Sequence, residues 1–567
     1  MRRLLVALVV LGGLICGSLY PSSMTSIKAS NFSNSFVFTA ASSQEGHTIK
    51  ITPWGPTQEV VDAARDRVLK NPRIKEMLRG AEHRVLSFEL VESPHSGDPQ
   101  PADSFKAIIF DYTNNRGFVC NGRLDGADLE INTLIEQPDS DSVEFDAAVA
   151  VVARDPELGQ ALRNGGLSPY RPMPPLVFGD APVGKVNRTV AVGLMPKGIK
   201  YQNQIVGVDM IAKKVLRLPG NAHTGAIASP AVCGLPGAGQ STTGRGTAGQ
   251  YNVVVSRNGV EIWNFIVVRP SASSGPGGSQ TTGKGSAVEL LNVNYRGKRL
   301  LTRAHVPILN VQYQGNACGP YRDWQYQEGQ FTADGADVAP GIRMCTTPPQ
   351  TILESGSDTG NFRGVAIYDN KEEVTLVSEL EAGWYRYISR WTLTDGGVIK
   401  PRFGFGGVTN GCVCNIHTHH VYWRLDFDVN TATHNAVTDN IPGGDQLVKT
   451  EAMRPRIDRL NQTWTISNTV SGESVVLRPG PWDNNYDKYG KGDVWVLVNK
   501  SPNEFEDGVS CVGPTGCNTP INIAPFVNGE PTADSDIVVW YGAHFNHING
   551  NVACGTSAGP DIEITRW

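Results

Sequence analysis

The sequence predicts a mainly β protein in which a large antiparallel β-sandwich is preceded by two small α+β domains. Two observations carry this prediction. The 567 residues include 62 Gly, 36 Pro and 11 Trp, and Val, Thr and Tyr occur in short runs, a composition that favours strands and turns over helices. From Ala287 to the end of the chain, short strand-like runs are separated by turn signals, which is typical of an antiparallel sandwich.

The N-terminus has the form of a secretory signal, which we place at residues 1–23. Two arginines precede a short apolar run over residues 4–19, and proline and serine follow it. Cys16 is not favoured as a lipidation site, because Ile15 is large where such sites require a small residue. No later stretch is apolar enough to cross a bilayer, so the mature chain is expected to be soluble and either secreted or periplasmic.

Size and charge narrow the function classes. With 40% hydrophobic residues, the chain is long enough for three or four domains, one of them with a large core. Its net charge of −5 and its pI near 6.2 provide no basic field for DNA or RNA. A nucleic-acid partner is therefore not expected.

Two small α+β domains are predicted before residue 220. The first, residues 46–135, opens with helical spacing over 57–80 that is interrupted at Asn71-Pro72, and strands follow. The second, residues 136–219, has two helical runs that are also followed by strands. The helical runs of the second domain are 145–152 and 157–163, and the strands of the two domains are 84–91, 105–112, 117–120, 188–194 and 205–211.

A segment rich in Gly, Ser, Thr and Ala, residues 220–249, is predicted to link these domains to the β-sandwich, residues 250–567. The sandwich domain opens with a strand pair, 251–255 and 260–268, around an Asn-Gly turn. The functional residues are expected in this last domain.

The most informative strand covers residues 417–428. One face carries His417 and His419 followed by four apolar residues, whereas the other face is mostly polar. An imidazole on an apolar face is costly to desolvate without a partner, and two histidines at i and i+2 project side by side, as adjacent ligands of one metal ion do. The alternative is a pair of core histidines that are satisfied by hydrogen bonds. His420 lies on the opposite face and is expected to be dispensable for this metal.

Two other strands supply candidate partners for this histidine pair. Near the C-terminus, residues 536–548 place His547 on the same face as Val539, Tyr541 and Phe545, so a third inward histidine is available. Upstream, residues 381–391 form an aromatic-rich strand that precedes a hairpin turn and contains Tyr385 and Tyr387.

Ten cysteines are present, and nine remain once Cys16, in the predicted signal, is set aside. In an exported protein most of them should be paired, and the odd number leaves one free or bound to a metal. Cys412 and Cys414 are close in sequence to the histidines, and together with them could form a zinc site instead. Their spacing is wrong for a zinc finger, so disulfides are favoured.

Taken together, these motifs resemble those of the copper amine oxidases, and the resemblance extends over most of the mature chain. That family has a His-x-His strand ending in Arg-Leu-Asp, here His417 and His419 with the residues up to Asp426. It has a third histidine after an Asp-(apolar)-Val-x-Trp-Tyr strand, here His547. It also has an upstream tyrosine that copper and oxygen convert into topaquinone, here Tyr385. The resemblance implies a copper site made by the three histidines, and a homodimer.

The quinone motif departs from the family pattern. The family has Thr-x-x-Asn-Tyr-Asp/Glu-Tyr, whereas this chain has Glu381, Trp384 and Arg386 in place of the Thr, the Asn and the acid, so only the two tyrosines agree. Tyr313 matches the family tyrosine that hydrogen-bonds the quinone.

The catalytic base also departs from the family pattern. The family aspartate corresponds to Gln327, which cannot accept a proton. Asp323 and Glu328 are the nearby carboxylates, and Asp323 is favoured because on an extended strand it shares a face with Gln327. The alternative is that Asp323 pairs with Arg322 or another cation on the surface.

The resemblance implies an oxidase that converts a primary amine and O2 into an aldehyde, ammonia and hydrogen peroxide, with copper and topaquinone from Tyr385 as cofactors. A general base typically contributes about 10²–10⁴ in rate, so losing it without replacement would leave a poor enzyme. The runner-up is a catalytically silent or non-quinone copper protein, which the residues at 327, 384 and 386 favour. A third reading is a zinc hydrolase with the same three histidines, but no Glu stands beside them in a helical His-Glu pattern.

Overall fold

The computed structural model describes most of the chain. Among the described residues, no helix is long and apolar enough to cross a membrane. The signal predicted at residues 1–23 lies outside them. The described residues are 46–91, 98–135, 137–171, 184–196, 204–217, 233–237, 244–273, 285–314, 321–457, 461–500, 521–547 and 553–567.

The first small unit confirms the predicted helices and strands. Asn71 caps the second helix by accepting hydrogen bonds from the N–H groups of Arg73 and Ile74, and Pro72 stands in its first turn, where its missing N–H costs nothing. The elements are α1 (Gln58–Lys70), α2 (Pro72–Met77), β1 (His47–Pro53), β2 (His83–Val91), β3 (Ser104–Asp111), β4 (Arg116–Arg123) and β5 (Leu129–Thr133).

The strand β1 does not belong to this unit, although the predicted boundary at residue 46 placed it there. It pairs in antiparallel register with the strand that begins at Gln250, about 200 residues along the chain, whereas β2 to β5 form a separate four-stranded sheet. Its alternate residues, including Ile49 and Ile51, are buried in the core of the large domain. The small unit therefore begins after Pro53.

The second small unit is a four-stranded sheet with two helices. Both helices and two of its strands were predicted, and the other two strands were not. A buried ion pair joins its parts, because Arg188 donates two hydrogen bonds to Glu144 at 2.9 and 2.6 Å. The elements are α3 (Ser142–Val152), α4 (Gly159–Arg163), β6 (Leu167–Tyr170), β7 (Thr189–Pro196), β8 (Gln204–Asp209) and β9 (Lys214–Leu216).

Two large sheets make up the rest of the described chain and confirm the predicted mainly β class. The elements are β10 (Gln250–Arg257), β11 (Val260–Val268), β12 (Glu289–Tyr295), β13 (Lys298–Tyr313), β14 (Tyr321–Arg322), β15 (Ala336–Ala339), β16 (Ile342–Cys345), α5 (Ile352–Ser355), β17 (Val365–Asp369), β18 (Glu373–Ala382), β19 (Tyr385–Thr394), β20 (Val398–Gly407), β21 (His417–Phe427), β22 (Asn435–Asn440), β23 (Gln446–Val448), β24 (Ala452–Arg454), β25 (Thr463–Asn468), β26 (Ser474–Arg478), β27 (Val494–Val498), β28 (Ile537–His547), β29 (Ala553–Ala558) and β30 (Asp561–Arg566).

The first large sheet contains the predicted histidine strands and the second contains the predicted tyrosine strand. The strand order of the first is β1-β10-β11-β12-β13-β21-β28-β27-β24, with β14 beside β13. The order of the second is β15-β16-β17-β18-β19-β20-β30-β26-β25-β22-β23, with β29 beside β20. Their apolar faces share one core that includes Trp391 from β19 and Trp423 from β21, so residues of β19 and β21 meet between the sheets.

The segment predicted as a linker, 220–249, is in part docked on the large domain. Leu235 N–H donates to the Gly407 carbonyl at 2.9 Å, and Cys233 forms a disulfide with Cys414. Cys412 is also disulfide-bonded, so the preference for disulfides over a zinc finger is confirmed. Among the described residues, Cys120 and Cys345 are free and buried.

Loss of the Cys233–Cys414 disulfide is expected to lower stability substantially. It closes a loop of 181 residues, and removal of a native disulfide typically costs about 2–5 kcal/mol, because the unfolded chain regains freedom. We expect the double Ser variant to unfold at lower urea concentration under non-reducing conditions. Cys345→Ser is the matched control, because it replaces a buried sulfur without breaking a crosslink. A double variant as stable as this control would contradict the expectation.

Glu379 in β18 is fully buried and gives the fold a pH-dependent weakness. One carboxylate oxygen accepts the Ile352 N–H at 2.8 Å, and the other has no hydrogen-bond partner. Burial raises the pKa of Glu379 to about 8. Because an unfolded glutamate titrates near about 4.3, the folded state holds a proton that the unfolded state releases, and stability falls as the pH rises from about 4 to about 8.

Glu379→Gln should therefore stabilise the protein at pH 8 by at least about 1 kcal/mol relative to wild type and have little effect at pH 4. Glutamine keeps the shape of the neutral acid but has no proton to lose. Urea unfolding at both pH values measures the difference, with the exposed Glu372→Gln as control. An equal response to pH in wild type and Glu379→Gln would show that this carboxyl is not the cause.

Candidate metal centre

Strand register brings three of the predicted site residues into one row. Tyr313 at the end of β13 lies opposite His417 at the start of β21, and His417 lies opposite His547 at the end of β28. His419 occupies the next inward row, opposite Phe545. Because side chains alternate along a strand, His417 and His419 share the inward face and His420 points to the other side of the sheet, as predicted.

The strand β19 of the facing sheet brings Tyr385 and Tyr387 against these histidines. The Tyr385 ring centroid lies 5.4 Å from His417 and 4.8 Å from His419. Tyr385 is 2% exposed, so its hydroxyl must be satisfied inside the protein. The candidate site therefore lies between the two large sheets.

A directional chain of hydrogen bonds runs through Tyr385. His417 Nδ1 lies 2.6 Å from the Asn415 carbonyl, which only accepts, so Nδ1 carries the proton and Nε2 presents a lone pair. Tyr385 donates its hydroxyl hydrogen to this Nε2 at 2.8 Å. Its oxygen is 2.7 Å from the Tyr313 hydroxyl, which in turn accepts the indole N–H of Trp384 at 2.9 Å. The tautomer of His417 thus sets the direction of the whole chain.

The same His417 nitrogen also meets His547. His417 Nε2 and His547 Nδ1 are 3.2 Å apart, a separation suited to neighbouring ligands of one ion. His419 lies beside this close pair, with its ring centroid 5.0 Å from that of His417.

The chemistry of the donor set fits a transition metal. Nε2 of His419 is fully buried and has no hydrogen-bond partner, a cost that a metal bond would remove. Burial lowers the pKa of His417 to about 3 and that of His419 well below its usual value, and in both cases a neighbouring histidine adds to the effect. Neutral imidazoles are the form that binds metal, and three nitrogens suit Cu(II) or Zn(II).

A second hydrogen-bonded branch runs beside the first. Tyr387 donates its hydroxyl to Asp323 and also lies 3.1 Å from Nδ1 of His419. Burial, and then the charge of Asp323, raise the pKa of Tyr387 well above its usual value. Tyr385 thus contacts Nε2 of His417, the nitrogen that also faces His547, whereas Tyr387 contacts Nδ1 of His419.

Asp323 is 1% exposed, so it does not lie on the surface. The strand β14 ends at Arg322, and Asp323 follows it in irregular backbone, anchored by its N–H to the Leu309 carbonyl at 2.9 Å. The parity argument from an extended strand therefore does not apply. The structure nevertheless brings Asp323 to the tyrosine cluster through its contact with Tyr387.

Glu328 is held elsewhere by a dense set of donors. Arg269 donates to both of its oxygens, the Nε contact being 2.8 Å, and Ser271 adds its N–H at 3.2 Å and its hydroxyl at 3.0 Å. These four donors hold the Glu328 carboxylate against Arg269 and Ser271, whereas the Asp323 carboxylate contacts Tyr387. This geometry favours Asp323 over Glu328.

Two departures from the family motif have different consequences in the fold. Arg386 lies on the outward face of β19 and donates to both carboxylate oxygens of Asp358, at 2.6 and 3.0 Å, so its charge is neutralised away from Tyr385. Trp384 is close to the site, because it donates to Tyr313 and packs edge-on against Tyr170. The roles of Asn415 and Asp358 were not predicted, since neither residue stands in a recognisable motif.

Comparisons with known proteins bear on the fold. No protein-family profile and no curated protein matches the sequence. Solved structures that match include the lysyl oxidase of Pichia pastoris (11% identity, TM-score 0.54, 90% of this chain and 89% of that one), the copper-containing benzylamine oxidase of Hansenula polymorpha (12%, 0.53, 94% and 95%) and the amine oxidase of Aspergillus nidulans (12%, 0.51, 93% and 89%). The chain has the fold of these amine oxidases, and the resemblance found in its sequence is confirmed at that level.

Proposed function

We propose that this protein is a copper-dependent oxidase that deaminates a primary amine, with a topaquinone cofactor derived from Tyr385. The observation that carries the proposal is the 2.8 Å contact between the Tyr385 hydroxyl and the His417 nitrogen that also faces His547. It supports the choice of Tyr385 as the tyrosine to be oxidised, because this hydroxyl lies against the proposed copper ligands. The shared fold with the amine oxidases named above supports the same reading.

His417, His419 and His547 are the proposed copper ligands. A bound copper ion, with O2, would supply the oxidation of Tyr385 to the quinone cofactor. The cofactor would supply a two-electron oxidation, so that a primary amine, water and O2 give an aldehyde, ammonia and hydrogen peroxide. The Asn415 carbonyl keeps the proton of His417 on Nδ1, so that Nε2 stays available to the ion. Tyr313, which Trp384 orients, holds the oxygen of residue 385 in place.

His419→Ala is expected to lose copper, and His420→Ala is expected to keep it. His419 contributes one of three inward nitrogens, whereas His420 points to the other side of the sheet. The measurement is the copper retained, after one equivalent is added per chain, on dialysis against a competing chelator. The exposed His434→Ala is the matched control for loss of an imidazole. Copper lost from His420→Ala but kept by His419→Ala would overturn the assignment of the ligands.

The second candidate function is a copper protein that makes no quinone or turns over no amine. Gln327 in place of the family aspartate favours it, as does Trp384, which fills the space beside Tyr385 with ring centroids 6.1 Å apart. Arg386 does not add to this case, because Asp358 neutralises it on the other face of β19.

A visible spectrum separates the two candidates. The copper-loaded protein, exposed to air, is expected to develop a quinone absorption that shifts on addition of phenylhydrazine. Amine turnover is then measured as hydrogen peroxide formed. If the copper-loaded protein shows no absorption that reacts with phenylhydrazine, it is a copper protein without a quinone. If a quinone forms but no primary amine bleaches it, the protein is catalytically silent.

Export and dimer formation complete the proposal. The Cys233–Cys414 disulfide supports a secreted or periplasmic location, because disulfides persist in oxidising compartments. The homodimer rests on the family resemblance alone. Light scattering of the purified protein measures it directly, with a mass of twice 61.2 kDa less the signal as the expected value.

A further inference from the structure

A second histidine cluster lies on the opposite face of the strands that carry the proposed copper ligands. The register between β21 and β28 places His420 directly opposite His544, one residue beyond the inward row of His419. Both rings are buried, 0% and 1% exposed, and the ring of Tyr489 stacks on that of His420 with centroids 4.0 Å apart. Asp487, in the segment between β26 and β27, brings its carboxylate close to both rings.

The possible ligand atoms of these three side chains lie close together. The Asp487 carboxylate lies 2.8 Å from Nε2 of His420 and 4.0 Å from Nδ1 of His544. One ligand atom from each of the three lies within 4.8 Å of the other two. A single ion between them would therefore need only small side-chain movements.

The second ring nitrogen of His544 shows which of its atoms is available. His544 Nε2 hydrogen-bonds the carboxylate of Asp493, which is fully buried and also accepts the N–H of Arg456. A carboxylate only accepts, so Nε2 carries the proton and Nδ1 bears a lone pair. That Nδ1 is buried and has no hydrogen-bond partner. A carboxylate on one nitrogen with the other left bare is the arrangement that orients metal-binding histidines.

From this geometry we infer a second metal site, in which His420, His544 and Asp487 bind a divalent transition ion such as Zn²⁺. Two imidazole nitrogens and one carboxylate form a zinc ligand set, and one oxygen-donating side chain is too few for Ca²⁺ or Mg²⁺. Asp487 is 31% exposed and lines a cavity of about 710 Å³, which gives the ion and a fourth ligand access from solvent. Lys488 and Lys491 line the same cavity and favour an anion as that fourth ligand.

The site is independent of the proposed amine oxidation, because none of its ligands faces Tyr385. Its ion ties the segment between β26 and β27 to β21 and β28, and it replaces the proton between His420 and Asp487. Zinc binding should therefore raise thermal stability whether or not a quinone forms.

Zinc titration of the metal-free full-length protein, followed by gel filtration and metal analysis, tests the inference. Asp487→Asn is expected to bind one equivalent of Zn²⁺ fewer than wild type, and the loss should persist in a His419→Ala background. Asp445→Asn, which removes another exposed carboxylate, is the matched control and should bind as wild type does. Asp487→Asn is preferred to His544→Gln, because it disturbs no buried partner of Asp493.

Anomalous diffraction at the zinc edge locates the ion without any variant. We expect a peak bounded by His420, His544 and Asp487, with bonds of about 2.0–2.2 Å. No peak there in zinc-loaded crystals, or an Asp487→Asn variant with the wild-type zinc content, would overturn the inference. So would an equal loss of zinc in Asp445→Asn, because it would reveal non-specific binding to surface carboxylates.

Discussion

Tyr385→Phe is expected to yield a protein that binds copper, forms no quinone and oxidises no amine. The hydroxyl of Tyr385 is the group that copper and oxygen would act on, and phenylalanine has none. In its place Tyr313 would lose a hydrogen-bond partner at 2.7 Å and His417 one at 2.8 Å, but both residues keep other partners. The expected effect is complete loss of the phenylhydrazine-reactive absorption.

Tyr387→Phe is the matched control, because Tyr387 lies on the same face of the same strand and has ring contacts with Tyr385 and His419. The Tyr387 hydroxyl donates to Asp323 and lies near Nδ1 of His419, not near the unpartnered Nε2. Tyr387 is therefore expected to stay a tyrosine while Tyr385 is oxidised. Peptide mapping after exposure to copper and air should find the mass gain on the peptide of Tyr385. A gain on the Tyr387 peptide would show that the wrong tyrosine had been assigned.

The histidine and tyrosine strands could be predicted from the sequence because period two is a local property. Once residues 417–428 are known to form a strand, alternation alone puts His417 and His419 on one face and His420 on the other. The same argument held for His547. No such argument ranks Tyr385 against Tyr387, which share a face. The choice of Tyr385 from the sequence rests on the family resemblance, and its contact with His417 supports that choice.

The non-local pairings could not be predicted, because nothing in a short window specifies them. The strand β1 joins the large sheet by pairing with β10, although helices and a whole small sheet follow it in the chain. Cys233 forms a disulfide with Cys414, 181 residues further along the chain. The second histidine cluster was missed for the same reason: His544 and Asp487 become neighbours of His420 only through sheet register and a long connection.

Irregular backbone limited the prediction of the base. Asp323 was selected because it would share a strand face with Gln327, but β14 ends one residue before it. Asp323 reaches the tyrosine cluster because its N–H is anchored to Leu309 and its side chain meets Tyr387. Glu328, one residue from Gln327, is bound by Arg269 instead. Their positions in the sequence therefore do not show which carboxylate is the better candidate base. Their partners do, because Asp323 contacts Tyr387 and Glu328 is paired with Arg269.

Asp323→Asn is expected to slow the bleaching of the quinone by a primary amine by at least about 10²-fold, the usual contribution of a positioned general base. Asparagine keeps the size of the side chain and its contact with Tyr387 but cannot accept a proton. Copper content and the quinone absorption should stay unchanged. Single-turnover kinetics with an amine deuterated at the reacting carbon should show that the slowed step still breaks that bond.

Two further variants separate a base from a residue that merely positions Tyr387. If Asp323 acts only through Tyr387, Tyr387→Phe should slow the reaction as much as Asp323→Asn does. If Asp323 takes the proton itself, Tyr387→Phe should have the smaller effect. Glu328→Gln should leave the rate per quinone unchanged and lower stability, because it breaks a buried ion pair with Arg269. An unimpaired Asp323→Asn enzyme together with a slow Glu328→Gln enzyme would transfer the role of base to Glu328.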